Sequence, residues 1–305
     1  MYERYFQLRE KPFSLTPDTQ FFFNRQSHRS VLNTLVVALQ QREGFIKVVG
    51  EVGTGKTLLC RKLMTSLSSK RYKAAYIPNP YLSPEELRYL LAEEIGADVS
   101  SDMPGPQVLS RITRRLIDLA ADGKQVVMMI DEAQAMPRDT IEALRLLSNL
   151  ETEKRKLLQV VLFGQPELDT LLGRKDLRQL KQRIMFSEYL TPFDKKGVGY
   201  YINHRLASAG YPDARLFSTA ALSLLYRASG GVPRLINVLA HKALIACYGR
   251  GNRRVTSYHI ARAIQDTPES KRTGKLLALR WHLLWPLLGA MSLAGTLVYA
   301  QGGVI

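Results

Sequence analysis

Cysteine is nearly missing from this chain of 305 residues: Cys60 and Cys247 are the only two, far apart and without CxxC spacing. That excludes a disulfide framework and a thiolate-rich metal site, and both thiols read as free in a reducing compartment. Acid is scarce too. Against 43 Lys and Arg stand 27 Asp and Glu, a formal net charge of +16. The imbalance implies a polyanionic partner, whether nucleic acid, nucleotide phosphates or the anionic face of a membrane. The five histidines, His28, His204, His241, His259 and His282, form no HExxH or other ligand spacing. No serine triad, catalytic cysteine constellation or GxGxxG occurs either. The start, MYERYFQLREKPF, lacks the apolar centre of a signal peptide, so the bulk of the chain is expected in the cytoplasm. Long apolar runs are absent until the last thirty residues.

What is present describes a folded protein. Hydrophobic residues make up 46% and charged residues 23%, an ordinary globular balance, and the length suits two domains. The opening LREKPFSLTPDTQFFF is broken by Pro12 and Pro17 and is expected to run extended, before a helix from about Ser27 to Arg42. GFIKVVG, KAAYIPN, QVVMMID, LLQVVLFGQ and RIMFSEYL read as apolar strands with helical stretches between them, the pattern of a parallel sheet covered on both faces. From about Thr191 the periodicity turns helical, with four segments stopped by glycine or proline. The expected division is an α/β core over 1–190, a helical domain over 191–266, a basic linker over 267–275, an apolar helix over 276–300 and a short tail over 301–305.

GEVGTGKT fits GxxxxGK[ST] between an expected strand and an expected helix. The backbone of Gly50, Glu51, Val52, Gly53, Thr54, Gly55, Lys56, Thr57 and Leu58 would wrap phosphates at a helix N-terminus. Lys56 would reach the β and γ phosphates, and the Thr57 hydroxyl would bind Mg²⁺. Asp131 and Glu132 follow the apolar strand VVMMI, at the sheet edge where ligands of open α/β sheets sit. Asp131 would complete the Mg²⁺ shell and Glu132 would polarise the attacking water. By itself an acidic pair there is more often a solvated turn or a helix cap; paired with the P-loop, the weight reverses. Gln165 ends another strand, either to orient the water and sense the γ-phosphate or simply to cap the helix after Pro166. Arg178 and Arg183 in LRQLKQRIMF could both project from the rim. Arg234 sits in the first turn of a helix, adverse for a cation on dipole grounds unless an anion lies opposite.

With these motifs in view, the sequence resembles the AAA+ ATPases of the ExeA/GspA type over residues 1 to about 266. The likeness rests on LREKPFSLTPDTQFFF, GFIKVVGEVGTGKTLLCRKL, IPNPYLSPEELR, IDEAQAMP, LRLLSNLETEKRKLLQVVLFGQPEL, LRQLKQRI and GGVPRLINVL. It implies an AAA+ P-loop core with a five-stranded parallel sheet, an α-helical lid and ATP with Mg²⁺ as cofactors. It also implies Gln165 as the sensor 1 residue, Arg234 as the sensor 2 arginine of the lid, and Arg183 as the catalytic finger reaching a neighbouring subunit, with Arg178 close by in sequence. A finger in trans implies a homo-oligomer, a ring, whose turnover depends on assembly. Further implied are inner-membrane pilus or secretion assembly proteins as partners, with ATP hydrolysis coupled to building a type IV pilus or a type II secretion-related machine. Nucleic acid is the disfavoured partner, although the charge keeps a DNA-dependent ATPase of the transposition-helper type as the alternative. The sequence given stops five residues after its apolar stretch, so the peptidoglycan binding of the family is not carried over.

That stretch, Leu283 to Ala300, holds 18 residues without charge, about 27 Å as a helix and close to the hydrocarbon thickness of a bilayer. Extending it to Leu276 leaves Arg280 to snorkel, with Trp281, Trp285 and Tyr299 near its ends. Lys271, Arg272, Lys275 and Arg280 precede it and no charge follows. The expectation is a single-pass anchor in a bacterial inner membrane with the ATPase in the cytoplasm. A buried helix or an interfacial helix is the competing reading.

Overall fold

The computed structural model describes residues 1–270, apart from 24–25, 153–154, 212 and 214. The anchor expected over 276–300 and the tail over 301–305 therefore lie outside the described residues. Among the described residues no helix is long and apolar enough to cross a membrane.

The elements in chain order are α1 (Tyr2–Tyr5), α2 (Gln26–Gln40), β1 (Phe45–Gly50), α3 (Lys56–Ser66), β2 (Tyr72–Ile77), α4 (Pro84–Ile95) and α5 (Gly105–Ala121). Next come β3 (Gln125–Ile130), α6 (Arg138–Leu147), β4 (Glu151–Thr152), β5 (Arg155–Lys156), β6 (Leu158–Gly164), α7 (Glu167–Leu172), α8 (Arg178–Gln182) and β7 (Ile184–Leu190). The helices α9 (Lys195–Ser208), α10 (Thr219–Ser229), α11 (Pro233–Gly249) and α12 (Ser257–Gln265) complete the set.

Two compact units result: Thr16–Thr191, and Met1–Leu15 together with the chain from Pro192 on. In the first, five strands lie parallel in the order β2-β3-β6-β1-β7. Burial follows position in the sheet. β1 and β6 are buried along their whole length, as is nearly all of β3, whereas the edge strand β7 alternates, so the central strands read as unbroken apolar runs. One sheet face, with Phe45, Val49, Met128, Ile130 and Val160, packs against Leu87 and Leu91 of α4, Ile112 and Leu116 of α5 and Leu144 of α6. The other, with Ile46, Val48, Met129 and Phe163, packs against Leu35 and Leu39 of α2 and Leu59 and Leu63 of α3.

Local signals set the helix ends. Ser83 caps α4 through a reciprocal box with Glu86, Pro84 takes the first turn, and Gly96 closes it in the left-handed region at φ 74°. Because β2 lies beyond β3 and β6, the chain leaving β1 enters the P-loop where strand order reverses, the usual ligand position of open α/β sheets. The register sets Val49 level with Gly164 and Ile130 level with Leu162. The loops after β1, β3 and β6 thus open on one edge.

The second unit is built on α11, which packs against α10, α12 and the short α1. Its N-terminal segment is held by Arg205, a buried arginine of α9 whose guanidinium donates to the Pro12 and Ser14 carbonyls and lies over the Tyr201 ring. Residues 1–15, expected within the α/β core, therefore pack with the helices instead. That partner is 191 to 193 residues away in sequence and leaves no local signature. Within LREKPFSLTPDTQFFF, expected to run extended, Thr19–Phe21 forms one short 3₁₀ turn whose start is capped by the Asp18 side chain. Thr267 and Ser270, expected in a linker, are buried: their hydroxyls donate to the Ala263 and Thr267 carbonyls at 2.8 and 2.7 Å. The small antiparallel β4–β5 pair was not foreseen.

Candidate functional site

The P-loop joins β1 to α3. Gly55 has φ 100°, a conformation closed to ordinary L-residues, and a Cβ there would stand 3.2 Å from the His28 imidazole. His28, buried in α2, bonds the Thr54 carbonyl through Nε2 at 2.9 Å, so it braces the loop from behind. Burial pulls its pKa below 6.5 despite that bond, which keeps it neutral. Thr54 is buried and donates its hydroxyl to the Glu51 carbonyl at 2.8 Å. Lys56 is buried as well, and its ammonium donates to the carbonyls of Gly50 at 2.8 Å and Glu51 at 3.2 Å. Burial lowers its pKa, opposed by the charges of Glu132, Asp131, Glu51 and Glu167. An ammonium resting on carbonyls with acids nearby is suited to exchange those partners for phosphate oxygens. Val52 is exposed at the loop tip, and Leu58 packs its side chain on the core.

Thr57 Oγ1 donates to Asp131 Oδ2 at 2.6 Å. Asp131 is pinned further: its backbone N–H reaches the Ile77 carbonyl at 3.0 Å, and its Oδ1 accepts the Glu132 N–H at 3.0 Å. Burial raises the Asp131 carboxyl, and the Glu132 charge adds to this, against the Thr57 and Glu132 donors. A hydroxyl and a carboxylate side by side make a hard-oxygen pair. That suits Mg²⁺, which is held by few protein ligands and keeps its waters and substrate phosphates.

Glu132 leaves β3 with φ 51° and ψ 37°, a left-handed backbone uncommon for a residue other than glycine. Its Oε2 accepts two amide donors, Gln134 Nε2 at 2.6 Å and Gln165 Nε2 at 2.9 Å. Burial works to raise its pKa, but those two donors and the Lys56 charge outweigh it, and the carboxyl is held below its ordinary 4.5. Ionised and half-buried, it can accept a proton from water.

The site residues expected from the P-loop and the ends of β3 and β6 thus meet. The three arginines are placed differently. Arg183 ends α8, where it donates to Ser148 Oγ at 3.2 Å and to Asn149 Oδ1 rather than to the P-loop. Arg178 is exposed at the start of α8, and Arg234 is exposed in the first turn of α11, in the other unit. Two contributors were missed. Gln134 was visible in IDEAQ, two residues past Glu132, while nothing near His28 in sequence points to the loop it supports.

Residues 39–172 match the family model described as an AAA domain. The chain is 37% identical over 302 residues, 99% of its length, to the general secretion pathway protein A of Aeromonas hydrophila. It spans about half, 53%, of that relative. Among solved structures the ORC2 protein of Aeropyrum pernix, in ADPNP–ADP complexes, superposes with a TM-score of 0.64 at 17% identity, over 84% of this chain and 71% of that one. The RuvB Holliday junction branch migration motor of Thermotoga maritima gives 0.53 at 16% identity, over 78% and 68%. Identities this low establish the fold alone. With the P-loop and its acidic partners, the matches support an AAA ATP hydrolase similar to general secretion pathway protein A.

Proposed function

We propose that this chain is a membrane-anchored ATPase that couples ATP binding and hydrolysis to assembly in the bacterial envelope. The observation carrying the catalytic part is the meeting, at one sheet edge, of Lys56, the Thr57–Asp131 pair and the Glu132–Gln165 pair. Lys56 holds the β and γ phosphates of ATP within the loop from Gly50 to Leu58. Thr57 and Asp131 would hold Mg²⁺, which would supply neutralisation of charge on the phosphate oxygens. Glu132 takes the proton of the attacking water, and Gln165 orients that water and senses the γ-phosphate. Arg183 acts as the finger toward a second copy of the chain and Arg234 as the lid arginine, so turnover depends on a homo-oligomer.

The likeness to general secretion pathway protein A, together with the family resemblance read from the motifs, supports a place in type II secretion or in assembly of an MSHA-like type IV pilus. The uncharged stretch from Leu283 to Ala300 supports a single-pass inner-membrane anchor with the ATPase in the cytoplasm. The net charge of +16 keeps a DNA-dependent ATPase as the second reading. Membrane fractionation and DNA stimulation separate the two. An anchored ATPase stays with membranes at high salt and ignores duplex DNA, whereas salt release combined with strong stimulation by DNA overturns the envelope reading.

A further inference from the structure

Gln134 bonds both members of the Glu132–Gln165 pair. Its amide donates to Glu132 Oε2, and its carbonyl oxygen accepts the Gln165 backbone N–H at 3.0 Å. With the direct bond from Gln165 Nε2 to the same carboxylate oxygen, the three residues close a ring between the ends of β3 and β6. Two backbone features make the ring possible. Side chains two residues apart on a helix do not face each other, and the left-handed backbone of Glu132 departs from that geometry. Gly164 removes the side chain that would otherwise crowd Gln134, since a Cβ there would stand 3.2 Å from its Oε1.

We propose that Gln134 is a positioning residue for turnover: by bonding both partners at once, it makes the Glu132 carboxylate and the Gln165 amide a single oriented unit. The inference rests on the reading of Glu132 as base and Gln165 as γ-phosphate sensor. A glutamate side chain has several rotamers, and a base displaced by about 1 Å loses on the order of a hundredfold in rate. The Gln165 amide has two N–H donors, and turning it toward a phosphate leaves at most one of them on Glu132. Gln134 then supplies the donor that stays, and its carbonyl keeps the Gln165 backbone in place while the side chain moves.

Two variants in the full chain separate the two bonds. Gln134→Met removes both, whereas Gln134→Glu keeps an acceptor for the Gln165 N–H, loses the donor and adds a like charge. Each is expected to lower kcat about 10- to 100-fold with ATP Kd within about twofold, because among the described residues the Gln134 side chain bonds Glu132 and Gln165 and not the P-loop. A kcat within twofold of the parent in both variants overturns the proposal. So does a fall in kcat accompanied by parallel losses of ATP affinity and melting temperature, which marks a support of the fold alone. Glu132→Gln serves as the control. If it still turns over, the reading of the site fails and the proposal with it; if it is dead while Gln134→Met is fully active, only the proposal fails.

Discussion

At the scale of single residues, the site separates binding from chemistry. Lys56→Ala is expected to abolish tight ATP binding, since the phosphates lose their main cation. Glu132→Gln should bind ATP and release no phosphate, because an amide of nearly the same shape cannot accept the proton. Nucleotide titration beside steady-state phosphate release checks both, and equal loss of binding in the two variants would remove Glu132 from its role. Gly55→Ala tests the loop itself. The left-handed φ of 100° is strained for alanine, and its methyl would press on His28, so ATP affinity should fall about tenfold or more. Removing the imidazole in Gly55→Ala/His28→Ala relieves the contact and not the backbone strain, so recovery should be partial. Lys56, Thr57, Asp131 and Glu132 were legible because a phosphate loop and a strand-ending acidic pair are local patterns. His28 was not, because its bond to Thr54 joins residues 26 positions apart.

At the scale of elements, the central strands carry the fold. Phe163 is fully buried in β6 between β3 and β1, so Phe163→Ala should cost about 3–5 kcal/mol and lower the melting temperature by on the order of 10 °C. A drop of only 1–2 °C in a thermal melt would mean that this face repacks. The strands were readable because burial on both faces makes them apolar, but the same reading passed over two polar side chains inside them. Lys47, buried in β1, pairs with Asp169 of α7 and lies 5.5 Å from the Tyr189 ring. Gln159, buried in β6, donates to the Glu43 carbonyl at 2.9 Å. Their partners come from other elements, and no periodicity within one strand reveals them. The β4–β5 pair is two residues long on each side, too short for an alternating pattern to register.

For the whole molecule, three histidines tie stability to pH. Burial lowers the pKa of His28, His241 and His259 below 6.5. The Nδ1 of His241 bonds the Tyr2 hydroxyl, and that of His259 accepts the Thr256 N–H, a bond that a proton on His259 Nδ1 displaces. The unfolded chain takes up these protons at about pH 6.5 and the folded chain only at lower pH, so stability should be full above about pH 7 and fall as pH drops through 6.5. Melting temperatures at pH 7.5 and 5.5 check this; equal values would show that the imidazoles titrate alike in both states. Oligomerisation is a second test at this scale. Arg183→Ala should lower turnover and leave ATP affinity unchanged, and parent activity per subunit should rise with concentration, whereas a rate independent of concentration argues for a monomer. The chain also crosses between its two units twice, at 15–16 and at 191–192. Arg205 grips the Ser14 carbonyl and Arg61 the Pro17 carbonyl on either side of the first crossing, and Gly231 accepts the Phe193 N–H just past the second. A protease cutting at either crossing alone therefore leaves the two units joined through the other, since residues 1–15 stay packed with the helices when the chain is cut at 191–192.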